Sequence, residues 1–453
     1  MGTRISDSQQ YAHLWGTPEL EAIFNERARL QSWLSIISAL ANAQARVGII
    51  PDESARIIAS HADAQQLDLD LIARQTRATS HSTLGLIRAL QEVLPEPARE
   101  DVYYGATVQD ITDTWFALVM REVGGLVYRD LRALEAVLLS LAESHRATPM
   151  AGRTHGQPGA PITFGYKAAC WADELRRHIE RLREGRERWL VGQLGGAVGV
   201  LGFFEPAGLR LRQEFCAELG LGEPTISWLT TRDRIAEFGS LLAMITTTLA
   251  RIGNEVYELS RPEIGELREP AGTGSVGSIT MPHKRNPEAS EHLDTLARLA
   301  RANAAVLVEG MAASHERDGR SWKAEWVALP EVCLLAGTAL QTALGLVAGL
   351  DVDSEAMAAN LARFGGRMSS EQLLAGLAAK LGKHHAQQTL HELLVAGNAD
   401  SLGSAIVASG TATRDEVNSW TATPATATAS VMADQLVSHS RAARAAEPER
   451  WVS

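Results

Sequence analysis

The sequence predicts an all-α fold, and three observations carry that expectation. Apolar residues recur at intervals of three and four over long stretches without proline. Alternation of the strand kind is scarce. The periodic runs also outlast the ~10–14 residues of an average helix. Stripes this long need partners along their whole length, and their alanine-rich faces allow close approach, so a bundle of long helices continuing across subunits is expected.

In chain order, a helical N-terminal domain is placed over residues 1–109. The first long run goes from Trp115 to Leu141, with Asp113 and Thr114 as its expected caps. The next comprises Trp171, Leu175, Ile179, Leu182 and Trp189, with arginines and glutamates between. Gly192 to Gly202 is glycine-rich but has neither G-x-G-x-x-G nor a P-loop lysine, so it reads as a turn region between helices. A further run carries Phe238, Leu241, Leu242, Ile245, Leu249, Ile252, Val256 and Leu259, and another extends from about Leu293 to Met311. These place a central bundle over 110–349 and a C-terminal helical domain over 350–453. Within the latter, Thr421 to Ser430 is low in complexity and expected to be a loop.

A chain of 453 residues buries a large core. A net charge of −11 argues against a nucleic-acid partner, although local cations in a cleft can still hold an anionic substrate. Cys170, Cys216 and Cys333 lie far apart in apolar contexts and read as buried thiols in a reducing compartment. Met1 through Trp15 lacks an apolar signal core, and no window comes near a membrane span, so a cytoplasmic protein without a membrane partner is expected. The adjacent pair His384 and His385 has no carboxylate or cysteine at ligand spacing; no metal and no cofactor is expected.

Chemistry gathers in three segments. Gly272 to Pro287 reads GTGSVGSITMPHKRNP. Its glycines permit close backbone approach to a ligand, Ser278 supplies an oxygen, and Lys284 and Asn286 supply a cation and an amide donor for a carboxylate. Taken alone, such a stretch is more often a surface loop with a basic tail. The others are GATVQD at 105–110 and GRTHGQPGAPITFG at 152–165. A lone histidine is more often structural than catalytic.

The first segment resembles the G-S-x-x-M-P-x-K-x-N-P motif of the fumarase/aspartase superfamily at every fixed position. The second resembles that superfamily's G-x-T-S-x-D element, with Val108 in place of the serine. The third resembles its T-H-x-Q-x-x-P element. The resemblance implies the three-domain fumarase/aspartase fold, with a central long-helix bundle forming a twenty-helix core in a homotetramer. It also implies composite active sites built from three subunits, a small dicarboxylate substrate and no cofactor. Ser278 is the implied base. A serine hydroxyl is too weakly acidic unless its loop closes and surrounds the alkoxide with donors. His155, oriented by Glu291, is the implied general acid. Thr107, Thr154, Lys284 and Asn286 are implied to hold substrate carboxylates and so to stabilise an aci-carboxylate dianion, with Gln157 and Met281 as further substrate-binding residues. His81 and Arg27 are carried as further substrate-binding candidates. Arg232 and Arg234 either meet substrate carboxylates or form ion pairs between helices. Ile279 stands where the superfamily has a second loop serine.

Two branches compete for the resemblance. PELEAIFNERARLQSWL, WLTTRDRIAEF and HERDGRSWKAEWVALPEV look like 3-carboxy-cis,cis-muconate cycloisomerase. That branch typically has tryptophan for the catalytic histidine and lacks the glutamate, whereas this chain has His155 and Glu291. Adenylosuccinate lyase shares T-H-G-Q-P and the histidine–glutamate pair. Its phosphate-binding serine and arginine, however, appear here as Trp322 and Trp326, and an indole cannot neutralise a phosphate dianion. Tyr103 also stands where that enzyme has a histidine. The expected function is therefore β-elimination from a small substituted succinate, giving fumarate and a nitrogen leaving group (amine, amino acid or nitrite). The cycloisomerase is the alternative, with Trp322 and Trp326 as flat walls for a conjugated substrate or simply as core. A non-enzymatic structural descendant is disfavoured by the intact Ser278, His155, Lys284 and Asn286.

Overall fold

The computed structural model describes residues 4–270, 280–281, 283–396 and 401–452. Its N-terminal part holds α1 (Pro18–Phe24), α2 (Glu26–Arg46), α3 (Asp52–His61), α4 (Leu69–Thr79), α5 (Leu84–Val93) and α6 (Ala98–Asp101). Local chemistry sets several of the starts. Thr17 accepts the Leu20 N–H ahead of Pro18, Asn25 accepts the Ala28 N–H, and Asp68 accepts the Leu71 N–H.

The middle of the chain is built from long helices: α7 (Val108–Ser144), α8 (Phe164–Trp189), α10 (Asp233–Leu259), α11 (Glu288–Glu309) and α12 (Gly319–Ala348), with the shorter α9 (Gly208–Glu218). Among the described residues, strands are confined to the hairpin β1 (Pro149–Thr154) and β2 (Gln157–Thr163), and to the short pair β3 (Leu267–Arg268) and β4 (Asp351–Val352). Helix α10 packs on α11 and α12, α12 on α7, and α7 on α8. Close approach depends on small residues as expected: a Cβ on Gly239 would lie 2.4 Å from Leu307 Cδ1 across the α10–α11 contact. Phe116, Leu134, Trp171, Leu249, Leu296 and Leu340 belong to one buried cluster, which Leu34 and Ile36 of α2 join. After α13 (Ser354–Arg363), the helices α14 (Ser370–Leu381), α15 (Lys383–Ala396), α16 (Leu402–Ala408) and α17 (Arg414–Thr421) surround a second cluster containing Leu373, Leu377, Leu390 and Ile406. The last helix, α18 (Ala427–Ala446), returns to α7 and α8.

Several expectations change. Asp113 and Thr114 do not cap α7, which begins two turns earlier at Thr107; both are fully buried inside it and bond to other segments. Thr421 to Ser430 is only partly a loop, because α17 ends and α18 begins within it. Cys170 is exposed, unlike Cys216 and Cys333; Trp171 takes the inward position beside it, turning Cys170 away by about 100°. Finally, α10 and α12 are long and apolar enough to cross a membrane by length and composition alone. Their apolar windows are 72% and 61% buried within the fold, which marks them as core helices.

Candidate active site

The hairpin presents the T-H-G-Q segment at its tip. Thr154 and Gln157 are the last paired residues, and the two-residue turn between them puts His155 at φ +52° and Gly156 at φ +74°. Two successive left-handed residues match the twist of a tight hairpin. Glycine adopts that conformation freely, whereas histidine is held in it at a cost. Thr154, His155 and Gln157 are all exposed. Just below the tip the hairpin is clamped by Arg153, which pairs with Pro158 and donates to both carboxylate oxygens of the buried Glu266 at 2.8 and 2.7 Å. Asn360 of α13 donates to the same carboxylate at 2.9 Å.

Thr107 caps α7 beside a buried carboxylate. Asp110 accepts backbone N–H bonds from Thr107 at 3.0 Å, Gly195 at 2.8 Å and Gly196 at 3.2 Å. Burial pushes its carboxyl up to about 7, against the pull of those three donors. The glycine-rich turn region is thereby fastened to the start of α7. Arg317 donates to Thr107 Oγ1 at 2.9 Å, two residues after His315 at φ +57°. Arg317 was not among the sequence-derived site residues. Its signal lies in the H-E-R-D run at 315–318, where residue type alone does not say which side chain reaches Thr107.

Of the glycine-rich motif at 272–287, Ser278 and Ile279 lie outside the described residues. Met281 and Lys284 are exposed, and the Lys284 N–H donates to the Met281 carbonyl at 2.9 Å. Glu269 caps α11 by accepting the N–H groups of Ala289 at 3.1 Å and Ser290 at 2.8 Å. That cap sets Glu291 in the first turn, exposed to solvent. A cavity of about 370 Å³ here is lined by Arg268, Glu269, His283, Arg285, Asn286 and Glu288. Within one chain, no hydrogen bond or ion pair links His155 to Glu291 among the described residues.

His81 accepts the Leu84 N–H on Nδ1 at 3.2 Å, which leaves Nε2 to carry the proton of the neutral ring. Arg27 donates to the Ala64 carbonyl at 2.9 Å and so ties α2 to the turn after α3. Arg232 is a buried ion-pair partner of Asp113 and Glu325. Arg234 stacks over the Trp228 ring with its guanidinium carbon 5.6 Å from the centroid. Trp322 and Trp326 meet edge to face with centroids 4.8 Å apart. Trp326 lines a cavity whose lining does not include Trp322, so of the pair only Trp326 is a wall there.

A bundle of long helices presenting these motif residues defines a class, and comparison with known proteins gives the same one. Residues 15–301 match the family model described as "Lyase". The chain belongs to this lyase family within the fumarase/aspartase superfamily, and it is an enzyme of the lyase class. It is 41% identical over 396 residues to N-acetyl-S-(2-succino)cysteine lyase of Dickeya dadantii (strain 3937), covering 87% of each chain. It is 40% identical to nitrosuccinate lyase of Streptomyces davaonensis, covering 83% of this chain and 81% of that protein. Among solved structures, the 3-carboxy-cis,cis-muconate lactonizing enzyme from Pseudomonas putida superposes with a TM-score of 0.87 at 32% identity, covering 96% of this chain and 99% of that one.

Proposed function

We propose that this lyase carries out β-elimination from a 2-substituted succinate, releasing fumarate and a leaving group that departs as a stabilised anion. Ser278 removes a proton from C3, and the electron pair is held as an aci-carboxylate by Thr107, Thr154, Lys284 and Asn286, with Gln157 and Met281 beside them. The bond from C2 to the substituent then breaks, its electrons leaving with the substituent as the double bond forms. His155, paired with Glu291 of a neighbouring subunit, orients the departing atom or returns a proton to it. A thiolate or nitrite leaves with little need of that proton, and the relatives named for a succinylated cysteine thioether and for nitrosuccinate support such leaving groups. The observation that carries the reading is the left-handed His155-Gly156 turn, which presents the exposed T-H-G-Q residues at the tip of a hairpin braced directly below it by Arg153 and Glu266.

The same reading makes the working enzyme a cofactor-independent, cytoplasmic homotetramer with composite sites. The cycloisomerase remains the second reading, favoured by the superposition on the lactonizing enzyme and opposed by His155 and Glu291. A panel of substituted succinates and carboxymuconate, followed by the ultraviolet absorbance of fumarate, separates the two. Ser278→Ala is expected to lower kcat by about 10²–10⁴-fold on the best succinate. Retention of full turnover by that variant would remove Ser278 from the mechanism.

A further inference from the structure

A cavity of about 350 Å³ lies between α2, α4, α7 and α12, walled by Trp33, Trp115 and Trp326. We propose that it is the subsite of the leaving group, and that it takes an N-acylated amino-acid thiol bearing a free carboxylate. This inference rests on the elimination reading above and adds to it the chemical class of the substituent.

Position comes first. Thr112 and Trp115 line the cavity and follow Thr107 by five and eight residues on one helix, about 7.5 and 12 Å along its axis. Arg317, which donates to Thr107, and Trp326 stand at the start of α12 and just inside it. Ser82, beside His81, completes one edge. The cavity thus begins within about two to three helical turns of Thr107, and the proposal places the substituent of a succinate held there in it.

The walls state what fits. The volume is at the small end for ligand sites. Trp33 and Trp115 meet edge to face at 6.2 Å, and Leu30 and Ile72 are also apolar. Such surfaces suit a flat neutral amide and a polarisable sulfur. The indole N–H groups of Trp33, Trp115 and Trp326 and the Thr112 hydroxyl are buried without a partner among the described residues. Trp115 is only 5% exposed and Trp33 only 7%. Buried donors of this kind favour an occupant that brings acceptors, and an amide carbonyl and a carboxylate are acceptors.

Charge then sets the sign. Arg29 sits over Trp33 at 5.9 Å from the ring centroid, and Arg77 lines the cavity with no ion-pair partner among the described residues. Glu26 is the opposing carboxylate, but it is 3.8 Å from Arg29 and its side chain is 70% exposed. The two arginines attract a carboxylate and repel a free ammonium, so an acylated amine is preferred to an unmodified one.

The test uses the intact enzyme and two separate readouts. Turnover is compared for N-acetyl-S-(2-succino)cysteine, its unacetylated form, and an analogue with the cysteine carboxylate amidated. Binding of N-acetylcysteine itself is followed by tryptophan fluorescence. The acetylated acid should be favoured in kcat/KM over each analogue by about 10–200-fold. Trp326→Ala should narrow the first preference by about tenfold and weaken N-acetylcysteine binding, with Trp326→Phe restoring most of both. Arg77→Ala should narrow the second preference, with Arg77→Lys recovering part of it. Equal turnover of all three substrates, or N-acetylcysteine binding unchanged in Trp326→Ala, would overturn the assignment. If binding responds as stated but no substituted succinate yields fumarate, the elimination reading fails while the subsite stands.

Discussion

Arg232 holds two carboxylates at once, and both are as buried as it is. Its guanidinium lies 2.7 Å from Asp113 of α7 and 2.5 Å from Glu325 of α12, with Trp228 beneath it at 5.4 Å. Burial opposes the charge on Arg232, while the two carboxylates more than compensate and raise its affinity for the proton. Glu325 directly precedes Trp326, so the cluster also positions a wall of the cavity. Arg232→Ala strands two buried anions, and a loss of about 3–5 kcal/mol is expected in urea unfolding. An Arg232→Ala chain as stable as the parent would show that water reaches the site. At His155, substitution by alanine should lower kcat less than Ser278→Ala does when the leaving group is a thiolate, because a thiolate departs without a proton. Parallel kinetics on a succinyl amine, where the proton is needed, should show the larger loss.

The hairpin and α8 each carry a prediction of their own. Gly156 sits at φ +74°, so Gly156→Ala should cost about 1 kcal/mol and disturb the presentation of His155. Thermal unfolding and kcat should fall together, since the turn is the only covalent support of that ring. On α8, His178 is 3% exposed and is held neutral. Arg181 donates to its Nδ1 at 3.3 Å, and Nε2 faces Thr248 Oγ1 of α10 at 2.9 Å, whose hydroxyl donates to Glu174 at 2.6 Å. Burial, aided by Arg181 and Arg177 and opposed by Glu174, brings its pKa down to about 4. Between about 4 and its ordinary value near 6.5, the unfolded chain binds a proton here that the folded chain does not. This contribution to stability is complete above that window and is lost as pH falls through it. Urea midpoints at pH 7 and pH 5 should therefore differ, and His178→Gln should shrink the difference; an unchanged difference would assign it to other groups.

For the whole molecule, the arrangement of the three motif segments matters most. One chain brings Arg317 to Thr107 and braces the hairpin, yet no bond joins His155 to Glu291 among the described residues. The composite sites proposed above would account for this separation, and they make a testable demand. Assayed on a succinyl amine, where both residues are needed, Ser278→Ala and His155→Ala should each be strongly impaired alone and recover part of the activity after subunit exchange, because mixed tetramers would contain some sites with neither defect. Fumarate formation after mixing and refolding measures it. No recovery despite proven exchange would place both residues in sites built from a single chain.

Much of this was legible without coordinates. The long runs around Trp115, Trp171, Phe238 and Leu293 became α7, α8, α10 and α11 because a 3.6-residue period is a local property of the chain. The motif residues were legible for a different reason: their chemistry is written in residue type and order. Partners were not. Asp113 and Thr114 looked like caps in isolation, but Asp113 is fixed by an arginine 119 residues away and Thr114 by Gln193, 79 residues away. Likewise, nothing in the separate contexts of Trp33, Trp115 and Trp326 announces that they wall one cavity. Periodicity dictates which face of a helix is buried, whereas the segment that covers it is chosen by packing between distant stretches, which only the folded chain resolves.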